Sequence, residues 1–99
     1  MTNLNVEEFK EKINADSNAV IVDVRTPEEE AEGVIENSIN MNLMEASFPA
    51  KVMDLDKSKN YYVFCRSGGR SASACQFMAK NGLITYNLAG GIQAWNQSN

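Results

Sequence analysis

The chain has 99 residues, 43% of them apolar and 22% charged, which suits one globular domain over residues 1–99 and excludes a disordered chain. It holds no run of about twenty apolar residues, so no membrane partner is expected, and its net charge of −4 argues against nucleic acid. There is no histidine and there are only two cysteines, which removes Cys-His and Ser-His catalysis, a disulfide scaffold and a zinc site; neither metal nor cofactor is expected.

The opening stretch, MTNLNVEEFKEK, lacks a basic segment followed by an apolar core, so no secretion signal is read there and a cytoplasmic location is expected. A domain cut from a longer chain would read the same way. Val6, Phe9 and Ile13 then mark one apolar helix face, and Asn5 with Glu8 forms a capping box at its start. AVIVDV, Ala19 to Val24, is a β-branched run expected to form a strand buried on both faces. TPEEEAE opens a helix, with Thr26 as cap, Pro27 in the first turn and Glu29 completing a box; its three glutamates read as a solvated helix start.

SINMNL, Ser38 to Leu43, alternates polar and apolar residues and predicts a strand. A weaker helix follows over Ser47 to Leu55. YYVFC, Tyr61 to Cys65, is a second buried strand, and Ser71 to Lys80 is a helix stopped by Asn81-Gly82. ITYNL, Ile84 to Leu88, is the fourth strand. Gly90-Gly91 breaks the chain before a short helix whose Trp95 is expected to pack onto the sheet. Alternating strands and helices point to an α/β domain with a mostly parallel sheet, whose reactive loops lie beyond the carboxyl ends of its strands. Cys65 sits at such an end.

Charge is unevenly spread around that cysteine. Every acid lies at or before Asp56, leaving residues 57–99 with a net +5 and residues 1–56 with −9. Two of the three arginines, Arg66 and Arg70, fall within five residues of Cys65. This is either a chance distribution over a surface whose halves fold together, or a local positive field suited to a small anion.

The stretch from Cys65 to Ser71, CRSGGRS, joins a strand to a helix and so turns unpaired N–H groups toward the thiol. Gly68 and Gly69 allow the positive φ angles such a ring needs. Converging N–H dipoles and nearby arginines favour the thiolate and bind anions, giving a nucleophile that needs no histidine. Cysteine phosphatases require the arginine six residues after the cysteine. Here that position is Ser71 and Arg70 comes one residue early, so the ring is short for phosphate and suits a single sulfur atom held as a persulfide.

At these residues the chain resembles the single-domain rhodaneses, a family of sulfurtransferases. VIVDVRTPEEEAEGVI is similar to the first family signature, CRSGGRS to the active-site loop and LAGGIQAW to the C-terminal signature. The chain departs at Val34-Ile35 and Asn37-Ser38, where the family commonly has His-Ile and then Gly-Ala; the local turn is expected to differ, with little effect on sulfur chemistry.

The resemblance implies an α/β fold around a central, mostly parallel five-stranded sheet with helices on both faces. It implies Cys65 as the persulfide-carrying nucleophile and Arg66, Ser67, Gly68, Gly69, Arg70 and Ser71 as the anion-binding loop. Ser71 either directs its hydroxyl at the sulfur or caps the helix. Asp23 and Arg25 resemble a family pair expected to fix neighbouring loops. Cys75 reads as a core residue, with a resolving thiol as the other reading. The implied partners are a small anionic sulfur donor of the thiosulfate type, a thiol or cyanide acceptor and a sulfur-relay protein, with the chain acting as a monomer. The rival readings are a non-catalytic binding module and, further off, a phosphatase or arsenate reductase.

Overall fold

The most apolar run of the sequence becomes the centre of the sheet. In the computed structural model, which describes residues 1–98, Tyr61 to Cys65 are all buried. Asn99, the last residue of the expected domain, lies outside the described residues. Five strands form: β1 (Thr2–Leu4), β2 (Ala19–Asp23), β3 (Ile39–Asn40), β4 (Asn60–Phe64) and β5 (Ile84–Leu88). Their order is β1-β5-β4-β2-β3 and every pairing is parallel. A parallel sheet has both faces covered, which is why β4 reads as a continuous apolar run.

Helices α1 (Val6–Asn14), α2 (Pro27–Glu30), α3 (Phe48–Met53) and α4 (Gly69–Lys80) link the strands, and α5 (Gly91–Gln97) follows β5. The fold is thus α/β. Alternation along the strands divides its interior into two layers. Val22, Val24, Tyr61 and Val63 meet Phe48 and Val52 of α3 and Ala74, Cys75 and Met78 of α4. On the other face Tyr62, Phe64 and Leu88 meet Phe9 of α1 and Ile92 of α5. Phe9 stands edge-on to Tyr62 and to Trp95, at 5.6 and 6.2 Å between ring centres, so Trp95 closes α5 onto this layer.

Both capping boxes form: Asn5 and Glu8 start α1, and Thr26 and Glu29 start α2. Three expectations need correction, and one strand was not expected. SINMNL supplies only a two-residue ladder; Met41 and Leu43 still donate to the Asp23 and Val24 carbonyls, but the Asn42 side chain accepts from the Met44 N–H and turns the chain away. The start of β2, Ala19 to Ile21, is only partly buried, although the Tyr61 and Tyr62 that pair with Val20 and Ile21 on β4 are fully covered. Helix α4 begins two residues before Ser71, at Gly69. Strand β1 has no periodicity to mark it; it is an edge strand defined by its partner, with Asn3 opposite Asn87.

Candidate active site

The loop that leaves β4 wraps around the sulfur of Cys65. The Gly68 N–H donates to Sγ at 3.1 Å, and the Ser71 hydroxyl lies 3.4 Å from it. Burial pushes the thiol up, but the Ser71 hydroxyl and the N–H groups of Ser71, Gly68 and Ser67 outweigh it, holding the thiol below its ordinary value. These donors come from the loop and the first turn of α4, where helix N–H groups have no partners of their own.

Two glycines permit this arrangement. Gly68 takes φ +108, and a side chain there would also press on the Leu88 carbonyl and the Gly90 N–H. Gly69, expected to share the positive φ, is helical instead and faces open space. The second glycine is Gly91, at φ +61. A Cβ on it would lie 2.6 Å from the Cys65 carbonyl oxygen and closer still to Arg66. That close approach lets the first turn of α5 hold the outside of the loop: Ile92 N–H donates to the Cys65 carbonyl at 2.9 Å and Gln93 N–H to the Arg66 carbonyl at 3.1 Å. With the carbonyls fixed outward, the following N–H groups turn inward.

Ser71 does not cap α4; Gly68 occupies that position, with no side-chain cap. The Ser71 hydroxyl instead faces three acceptors: Cys65 Sγ, the Gly68 carbonyl at 3.2 Å and Asn87 Oδ1. The three compete for its single proton. Asn87, buried on β5, uses its amide to bond the Gly68 carbonyl at 3.2 Å and Asn3 Oδ1 at 2.9 Å. A Ser71–Asn87–Asn3 chain therefore runs from the sulfur to the edge strand. Sequence reasoning missed Asn87; its only signal was a polar residue in a strand, a feature it shares with Thr85.

The two arginines have different surroundings. Arg66 is exposed and makes no ion pair among the described residues. Arg70 places Nη1 and Nη2 on the two carboxylate oxygens of Glu29, at 2.7 and 2.8 Å. That fork pulls the Glu29 carboxyl down to about 2. Glu29, read from sequence as a solvated cap, thus also ties α2 to the active-site loop. The other three cations of the second half sit elsewhere. Lys57 and Lys59 precede β4 and Lys80 ends α4, at the opposite end of the sheet from Cys65. The net +5 of residues 57–99 is therefore not one field around the thiol.

Asp23 and Arg25 form a buried fork–fork pair, with Nε on Oδ1 at 2.9 Å and Nη2 on Oδ2 at 2.8 Å. Arg25 also donates to the carbonyls of Gly33 and Glu29 and lies over the Phe64 ring. The two carbonyl contacts fix backbone at Glu29 and Gly33, so the pair braces the segment carrying α2. Asn37, in the turn between α2 and β3, takes φ +69, a conformation that asparagine tolerates better than most side chains. Cys75 is fully buried in the core, and burial pushes its thiol up to about 12. No group of three or more His, Cys, Asp or Glu placed to hold a metal occurs among the described residues, and no helix there is long and apolar enough to cross a membrane.

Residues 5–98 match the family model described as a rhodanese-like domain. The Bacillus subtilis protein YtwF is 41% identical over 88% of this chain and 82% of its own length. A sulfurtransferase of Allochromatium vinosum is 31% identical over 90% of this chain and 82% of its own. Among solved structures, a rhodanese-related protein from Thermoplasma volcanium superposes with a TM-score of 0.88 at 33% identity, covering 100% of this chain and 94% of that one. A rhodanese-like domain protein from Staphylococcus aureus gives 0.84 at 34%, covering 96% and 91%.

Proposed function

The chain belongs to the rhodanese-like sulfurtransferase family, and from that premise we infer that it moves a sulfane sulfur from a small anionic donor to a nucleophilic acceptor through a persulfide on Cys65. The observation that carries this reading is the ring of donors from Ser67, Gly68 and Ser71 around one sulfur. Such a ring stabilises an anion at Sγ, whether the thiolate or the persulfide that replaces it.

The reaction has two steps. The Cys65 thiolate attacks the outer sulfur of a donor such as thiosulfate. The donor's S–S bond breaks, its electron pair leaves with sulfite, and Cys65–S–S⁻ remains in the ring. An acceptor, cyanide or a thiolate, then attacks the outer sulfur, and the pair of the second broken S–S bond returns to Cys65 as thiolate. The thiol acceptor is borne by a small molecule or a sulfur-relay protein, and the rhodanese-like domain acts as a monomer in the cytoplasm. The short spacing between Cys65 and Arg70 supports sulfur over phosphate as the cargo, as does the engagement of the Arg70 fork by Glu29.

Initial-rate kinetics with thiosulfate and cyanide test the reading. Parallel lines in the double-reciprocal plot are expected, with sulfite released before any acceptor is added. Cys65→Ala should abolish both. Activity that survives Cys65→Ala, or sulfite release that requires the acceptor, contradicts the persulfide route.

A further inference from the structure

Arg70 looks like the natural anion receptor of the loop, yet its fork is already filled. Glu29 accepts from both terminal nitrogens and is itself fixed from two sides. Its Oε1 lies 3.3 Å from the Thr26 N–H and 3.2 Å from the Thr26 hydroxyl, and its carbonyl accepts from Arg25 Nη1 at 3.2 Å. A bidentate pair anchored in this way is a rigid unit rather than two mobile tips. The Asp23–Arg25 pair behind it is likewise self-neutral. Among the described residues Arg66 is then the one unmatched cation of the loop, while Glu28, Glu30 and Glu32 add acidic groups with no ion pair on and just after α2.

Charge arithmetic at the sulfur separates two donor classes. A thiosulfonate carries one negative charge: the thiolate bonds its terminal sulfur, the sulfur–sulfonyl bond breaks, and the pair leaves on a sulfinate, with two negative charges on each side. An uncharged organic persulfide reacts in the same sense, releasing a thiolate. Thiosulfate brings two charges to the thiolate's one, so three must share a site with a single free cation. We propose that Glu29 is a specificity-determining residue: by holding Arg70 it tunes the site to sulfane-sulfur donors of at most one negative charge, thiosulfonates and organic persulfides, and away from dianions.

This assignment rests on the sulfurtransferase reading and narrows the donor within it. Its test is the ratio of kcat/KM for thiosulfate to that for benzenethiosulfonate in the wild type and in Glu29→Gln, which keeps a hydrogen-bonding cap for Thr26 but removes the charge. The wild type should favour the monoanion, and Glu29→Gln should move the ratio about tenfold toward thiosulfate, the scale of one added charge near a protein surface. Adding Arg70→Gln to that variant should cancel the gain. The wild type supplies a second readout that does not depend on the variant folding: between about 10 mM and about 200 mM salt its thiosulfate kcat/KM should stay level or rise. An unchanged ratio in a variant whose Cys65 still accepts sulfur overturns the role of Glu29 and leaves the persulfide chemistry standing. So does a gain that survives loss of Arg70, or a salt-induced fall of more than about threefold.

Discussion

At Cys65 the competing effects are burial, which opposes the charged sulfur, and three backbone N–H groups with one hydroxyl, which favour it; the donors win. The lowered thiol pKa means that reactivity rises with pH through a midpoint below that of an ordinary thiol. Ser71→Ala removes one donor, so we expect the midpoint for iodoacetamide alkylation to move up and kcat/KM at neutral pH to fall roughly tenfold. An unmoved midpoint would show that the hydroxyl serves Asn87 alone. The cysteine, the arginines and Ser71 were legible in the sequence, because a strand-to-helix turn dictates which way backbone donors point. What was not legible is the pairing of each side chain. Arg70 meets Glu29 and Ser71 meets Asn87 only because separate elements converge, and no local spacing encodes that convergence.

Between elements, two contacts hold the loop in shape. The turn between β5 and α5 reads in sequence as a break, yet Gly91 brings the start of α5 against the Cys65 and Arg66 carbonyls. Gly91→Ala meets both a left-handed φ and a backbone clash. We expect it to lose more than about 2 kcal/mol of stability, measured by urea unfolding, and most of the sulfur-transfer rate. The second contact joins α2 to α4 through Glu29 and Arg70. The folded Glu29 carboxyl sits at about 2 against an ordinary 4.5. Its depressed pKa stabilises the fold above the ordinary value and gives that up as pH falls from 4.5 toward 2. For a partly exposed pair the amount is about 1 kcal/mol or less. Acid unfolding of Glu29→Gln should be shallower over that window than the wild type's; identical curves would show that the pair adds nothing to stability.

Across the whole molecule, one parallel sheet separates two apolar layers and delivers one loop beyond its carboxyl end. The alternation of β-branched runs with capped helices made the fold class readable. Its edges were read less well: β1 is too short to carry a period and was missed, and β3 pairs over two residues where the alternation of SINMNL suggested six. Both cysteines are buried in the same layer yet meet opposite fates: burial governs Cys75, while at Cys65 a ring of donors outweighs it. The central claim is that this fold makes one cysteine a sulfur carrier. Intact-protein mass spectrometry after treatment with a sulfane-sulfur donor, followed by peptide mapping, tests it most directly. The account predicts a gain of one sulfur atom, located on Cys65, lost on adding cyanide and absent in Cys65→Ala. A wild-type protein that gains no sulfur from thiosulfate, a thiosulfonate or an organic persulfide, or gains it on Cys75, would contradict it.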